Sequence, residues 1–153
     1  PFIVALLNSP GWLRAIGDRG VRTEAEARAY LLRGAFASHA EHGFALWHVA
    51  RRDTGEAVGM CGLIRRPYLD VADVGFALLP AHTGQGYATE AAAATIEHAR
   101  TVHQLPGLGA IVLPDNAASL RVLHKLGFAE AGRITPPGST QELALLRRSL
   151  AGD

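Results

Sequence analysis

A single cysteine, Cys61, stands in 153 residues. That excludes an internal disulfide and fits a reducing, intracellular setting, so the cytoplasm is the expected location. Net charge is nearly absent: 15 Lys and Arg against 14 Asp and Glu leave +1. Nothing electrostatic therefore calls for nucleic acid or an anionic membrane as partner. No acidic run suggests a polycation pocket, and no basic run suggests docking on a ribosome. No apolar run reaches the length that crosses a bilayer. Pro1-Phe2-Ile3-Val4 has no charged flank and no cleavage pattern, so it does not read as a signal, and it lacks an initiator Met. The 7 histidines are scattered, and His39-x-x-His42 without further clustered ligands is a poor metal site, so no metal is expected. Cys61 on an apolar strand reads as a core thiol. Two nucleotide signatures are missing as well. No Gly-Lys-Ser/Thr follows a glycine-rich loop, and Gly84-Gln85-Gly86-Tyr87-Ala88-Thr89 has no third glycine.

What is present is an ordinary globular composition, 48% apolar and 19% charged, in a length that suits one domain over residues 1–153. The pattern predicts a short apolar helix over 2–8, ended by Asn8-Ser9-Pro10-Gly11, and a loop over 11–22. Thr23-Glu24-Ala25-Glu26 is a capping box. A helix from about Glu24 to Ala37 follows, with Ala27, Tyr30, Leu31 and Gly34 on one face, until Gly43 breaks the chain. Strands are predicted over 44–51, 56–65 and 73–79, joined at Asp53-Thr54-Gly55 and at 67–70, as an antiparallel meander. Ala88, Ala92, Ile96, Ala99 and Val102 then line one face of a helix. A strand near 109–113 after it implies a right-handed crossover and a parallel pair. Asp115 or Asn116 caps a last helix to about Leu126, with Gly127 at C′. Two further strands are expected near 128–134 and 141–147. The class is α+β around a mixed sheet.

The turn Thr83-Gly84-Gln85-Gly86-Tyr87-Ala88 is the most informative stretch. A turn that opens a helix presents backbone N–H groups without intrahelical partners, and the helix dipole adds positive potential there. Glycine lets a ligand approach closely. Such a turn suits a diphosphate, and coenzyme A remains once the two nucleotide signatures fall away. A glycine turn that joins strand to helix with no ligand is the plain alternative. Gly75 shifts the balance: glycine inside a strand often marks a bulge. A bulge there would splay this strand from its parallel neighbour and open a slot for a linear pantetheine arm.

This set of features resembles the GNAT N-acetyltransferases, and among them the RimJ/RimL-type branch, whose best-known members acetylate ribosomal-protein N-termini. The resemblance runs from about Phe44 to Phe128, with the capping-box helix before it. The family's Arg/Gln-x-x-Gly-x-Gly/Ala signature matches at residues 83–88, with Thr83 in the first place. Gly-Tyr-Ala-Thr-Glu-Ala over 86–91 is wording of that branch. So is Pro114-Asp115-Asn116-Ala117-Ala118-Ser119 followed by Lys125-Leu126-Gly127-Phe128. The strand that the family places ahead of its first helix has no counterpart here. The resemblance implies a mixed, mostly antiparallel sheet with a splayed parallel pair, flanked by helices. It implies direct transfer of acetyl from acetyl-CoA to a primary amine, a protein N-terminus or a small molecule, in a ternary complex, by a monomer or homodimer. Phe76, Ala77 and Leu78 would pair with pantetheine. Thr83, Gly84, Gln85, Gly86, Tyr87, Ala88 and Thr89 would hold the diphosphate, and Asn116 would contact the arm.

The chemistry then needs a base for the ammonium, donors for the oxyanion and an acid for the thiolate. A strand N–H near Leu78 can serve the oxyanion. The position where many relatives carry a tyrosine as acid is Leu123, so Ser119, one turn earlier, is the candidate hydroxyl. Asp73 and Glu142 are candidate bases ahead of His82. Trp12 would border the acceptor side. The vacant tyrosine position motivates a second reading, a catalytically idle acyl-CoA-binding module. A nucleotide-binding domain is a third.

Overall fold

A computed structural model of the chain describes residues 1–151. Helices come first: α1 Phe2–Leu7, α2 Pro10–Ala15, α3 Glu24–Leu31, a π-helical turn Leu32–Phe36 and α4 Ala37–His42. Then follow β1 Leu46–Ala50, β2 Ala57–Ile64, β3 Asp73–Leu78, a 3-10 turn Pro80–His82, and α5 Tyr87–Thr101. β4 Gly107–Val112, α6 Ala117–Lys125, β5 Ala129–Ile134 and β6 Leu143–Ser149 complete the fold.

The loop expected over 11–22 is a helix in its first half. Ser9 accepts a hydrogen bond from the Trp12 N–H, and Pro10 sits at the first helical position, where its missing N–H costs nothing. The residues read as ending α1 therefore also start α2. At α3 the capping box forms with one change. Thr23 Oγ1 accepts from the Glu26 N–H at 3.1 Å, and Glu26 reaches back to the N–H of Arg22, one residue further out. Helical structure continues past the expected end at Ala37, through the π turn, to His42. Gly43 ends it in the left-handed region, φ 80°. The expected inner face holds in part: Ala27 is buried, with Tyr30 and Leu31 packed beside it, whereas Gly34 is exposed.

The six strands run β1-β2-β3-β4-β6-β5. All neighbours are antiparallel except β3 and β4. Alternation along each strand sorts side chains onto two faces. Trp47, Cys61, Leu63, Val74 and Phe76 face a core shared with α5 and α6, which add Ala92, Ile96, Ala99 and Leu123. Leu46, Met60 and Ala77 face the other way, onto Leu6, Leu7 and Trp12 of α1 and α2. Leu6, Leu63, Leu108 and Leu146 are fully enclosed, each contributing roughly 2–3 kcal/mol. The alanine face of α5 lies against the sheet as expected, but Val102 is 61% exposed. It lies beyond Thr101, the last residue of the helix, where the periodicity no longer holds it inward.

One detail positions the site. β3 and β4 pair at a single position, Asp73↔Gly109, fixed by the Gly109 N–H donating to Ala72 O at 2.9 Å. Beyond it the two strands part. The splay is as expected, but no bulge at Gly75 produces it. Gly75 pairs with Gly62 in a β2–β3 ladder without a register shift. The gap comes from divergence of β4.

Candidate active site

The parted strands open into a cleft of about 480 Å³. Asp73, Phe76 and Ala77 of β3 line it, together with Asn116 and Ser119 at the start of α6. The facing wall comes from α2, α3 and the π turn, including Trp12, Tyr30 and Arg33. Of the residues singled out from the sequence, Leu78, residues 83–89 and Glu142 are outside the lining. Leu78 is the last residue of the parted strand, and the glycine turn follows it after the 3-10 turn Pro80–His82. Glu142 is exposed, just ahead of β6.

The ladder decides which β3 groups the gap receives. Leu79 N–H donates to Val58 O at 2.8 Å. Antiparallel ladders alternate hydrogen-bonded and non-bonded pairs. In the register Gly59↔Leu78, Met60↔Ala77, Cys61↔Phe76, Ala77 therefore spends its main-chain groups on β2. Phe76 and Leu78 turn theirs toward the parted side. Ala77 lines the cleft without offering backbone to it, unlike the reading from sequence.

The turn is built as its glycines demand. Gly84 and Gly86 have φ of 74° and 86°, in the region that favours glycine, and a Cβ at either would meet open space. Two side chains brace the turn: Thr83 Oγ1 donates to Pro80 O and Gln85 Nε2 to Ala81 O, both at 2.9 Å. Thr83 thus works inside the turn. The first bond into the helix is Glu90 N–H to Gly86 O. Among the described residues, no hydrogen bond takes the N–H of Gly84, Gln85, Gly86, Tyr87, Ala88 or Thr89. These donors stand at the N-terminus of a 15-residue helix, where dipole and amides together favour an anion. His82 is buried, with Nε2 3.2 Å from Glu56 Oε1. It ties the turn to the β1–β2 hairpin.

Asp73 is 1% exposed, and its Oδ1 accepts from Arg66 Nε at 2.9 Å. Burial pushes the carboxyl up to about 6 from an ordinary 3.8, against the pull of the Arg66 charge and hydrogen bond. At Arg66 burial works against the charge, yet Asp73 and Tyr68 hold it above its ordinary range. The two outcomes differ because the arginine side chain keeps 29% of its surface in solvent. The desolvation cost falls on the carboxylate, which can exchange a proton near neutrality. Asn116 caps α6, its Oδ1 accepting from the Ser119 N–H at 3.2 Å. That leaves its Nδ2 as the group for a ligand. The Ser119 hydroxyl makes no hydrogen bond among the described residues. Leu123 is 2% exposed and part of the core.

Sequence reasoning missed the Arg66 partner of Asp73, seven residues upstream across a turn, and it missed the π turn. No local pattern announces either. No group of three or more His, Cys, Asp or Glu side chains that could hold a metal occurs among the described residues. No helix there is long and apolar enough to cross a membrane.

A family model described as an acetyltransferase (GNAT) domain matches residues 1–129. An 88-residue stretch, 56% of this chain and 49% of the relative, is 33% identical to the uncharacterized N-acetyltransferase YoaA of Bacillus subtilis. The chain spans about half the length of the curated relatives it matches. The crystal structure of an acetyltransferase from Agrobacterium tumefaciens superposes with a TM-score of 0.77 at 24% identity, covering 95% of this chain and 82% of that one. The ribosomal-protein-S5-alanine acetyltransferase of Vibrio fischeri superposes at 0.74 with 20% identity, covering 98% and 88%. At these identities the structures establish the mixed-sheet fold.

Proposed function

The chain belongs to the acetyltransferase (GNAT) domain family, and we propose that it transfers the acetyl group of acetyl-CoA directly to a primary amine. One observation carries the reading: the unpaired N–H groups of residues 84–89 come one 3-10 turn after a strand parted from its parallel neighbour. A diphosphate fits the first and a linear amide chain fits the second. The wording of residues 86–91 and 114–128 supports a place in the RimJ/RimL-type branch. One buried cysteine supports a cytoplasmic setting.

Acetyl-CoA supplies an activated acyl group. The chain's own groups supply the rest. The amides of Gln85, Gly86, Tyr87, Ala88 and Thr89 hold the diphosphate, with Thr83 and Gly84 shaping the turn. The main chain of Phe76 and Leu78 pairs with the arm, and Asn116 Nδ2 meets it from α6. Asp73, ionised above about 6, takes the ammonium proton directly or through a water, which frees the nitrogen lone pair. The Leu78 N–H stabilises charge that builds on the thioester oxygen. Ser119 Oγ donates to the departing sulfur. Glu142, exposed at the head of β6, ranks behind Asp73 as base.

Leu123 in the core favours a second reading, an idle acyl-CoA-binding module. Calorimetry with acetyl-CoA and a thiol-release assay over a panel of amines separate the two. Binding with amine-dependent thiol release is the expected result. Binding without release on any amine would install the second reading, and preference for NAD or ATP over CoA would overturn both.

A further inference from the structure

The cleft lining has a lopsided inventory of charge. Four arginines, at 19, 33, 65 and 66, line it against two acids, Glu41 and Asp73. Arg66 is committed to Asp73, and Arg65 gives Nη1 to Leu69 O at 2.6 Å. Glu41 sits 3.7 Å from His42 Nε2. Arg19 and Arg33 make no hydrogen bond or ion pair among the described residues. Trp12 is 4% exposed, and its Nε1–H is buried without a partner. The groups left over on this wall are thus richer in donors than acceptors: two guanidinium forks and an indole N–H beside the Tyr30 hydroxyl and the exposed Glu41 carboxylate. Buried donors are satisfied in nearly all native sites. A wall rich in donors with surplus positive charge attracts an anion and repels a polycation. Guanidinium matches a carboxylate with two parallel bonds. Asp73 is buried where the strands part, whereas Arg19 and Arg33 are exposed. Ile16, Tyr30 and Leu31 line the same cleft, an apolar surface for a side chain.

We infer that the acceptor amine carries a carboxylate, as a free amino acid does, with its ammonium toward Asp73 and its carboxylate on Arg19 and Arg33. The inference rests on the acetyl-transfer reading for the amine end and on this donor wall for the carboxylate end. The test uses matched pairs with the CoA-loaded full chain: phenylalanine against phenethylamine, leucine against isoamylamine, and spermidine as the polycation. Calorimetry should show each amino acid binding about tenfold tighter than its decarboxylated twin, the worth of a charge-assisted hydrogen bond at a partly exposed site. Spermidine should bind more weakly than either. Arg33→Gln combined with Arg19→Gln should collapse the ratio within each pair toward one. Equal or reversed affinities within the pairs, preference for spermidine, or a ratio untouched by the double substitution would each overturn the inference. Thiol release with the same compounds reads the reaction separately. Carboxylate preference in binding without turnover keeps the ligand class and removes the reaction. Equal turnover of the decarboxylated twins keeps the reaction and removes the carboxylate.

Discussion

The two ends of the cleft are made of different material. At the turn the recognising groups are main-chain N–H donors held by two glycines in the left-handed region. At the mouth they are side chains brought from α2, the π turn and β3: Trp12, Arg33 and Asp73. A site made of backbone is fixed by local conformation and is indifferent to most side chains around it. A site made of side chains depends on the register and packing of distant elements, and its charge can be changed one residue at a time. Substitutions should therefore behave differently at the two ends, and the largest expected effect lies at the turn.

Gly86→Glu places a carboxylate at φ 86°, beside the amides assigned to a diphosphate. Like charges at about 4 Å cost about 4 kcal/mol near a protein surface, so acetyl-CoA affinity should fall at least a hundredfold in calorimetry. Gly86→Ala isolates the conformational part, because it keeps the N–H and adds no charge. Strain of about 1–2 kcal/mol at a left-handed position should appear as a lower melting temperature with less than a tenfold loss of affinity. Equal affinity for wild type and Gly86→Glu would remove the diphosphate from this turn and level the contrast between the two ends.

Asp73→Asn attacks the mouth by charge. Acetyl transfer should fall about a hundredfold, as losing a general base does, with acetyl-CoA affinity nearly unchanged. The wild-type pH profile should rise through about 6 as Asp73 ionises, and the variant should lose that limb. Stability gives an independent readout, and its sign is set by the raised value. Folding favours the protonated carboxyl, so its contribution is fully present below 3.8 and lost as pH rises through about 6. That loss is about 3 kcal/mol, at roughly 1.4 kcal/mol for each pH unit between the two values. Asp73→Asn should therefore gain stability relative to wild type between pH 4 and pH 7, read as urea midpoints on that pH series. A pH-independent difference would mean that Arg66 fully offsets the burial of the carboxylate.

The same contrast accounts for what could be read from the chain alone. Gly84, Gly86 and the alanine face of α5 are local patterns, so the turn, the helix and the parallel crossover were legible. The capping box at Thr23 and the Gly43 stop were legible for the same reason. The mouth was not. Arg66 reaches Asp73 only because a turn folds β3 back on β2. Ala77 lost its role because an alternation set by Leu79 and Val58 points its amide at β2, and that phase depends on pairing across strands. Gly75 was misread because a glycine can mark a bulge, whereas here the gap arises from divergence of β4. Ser9-Pro10 was read as a stop, since Pro ends one helix as readily as it opens the next.

The smallest effect tests how far the mouth depends on packing from elsewhere. Ser9 is 6% exposed, and its hydroxyl donates to Leu6 O at 2.7 Å while accepting from the Trp12 N–H at 3.4 Å. It ends α1 and starts α2 with one oxygen, and α2 carries Trp12 into the cleft wall. Ser9→Ala should cost about 1 kcal/mol, the usual worth of a helix N-cap. For a chain of this length that is about 2–4 °C in melting temperature. Acetyl-CoA affinity should not move, because the turn receives nothing from α2. Affinity for the acceptor should weaken slightly, since Trp12 borders that end alone. If the substitution instead weakened acetyl-CoA and acceptor equally, the two ends would be one packed unit, and the division between a backbone-built and a side-chain-built half would fail.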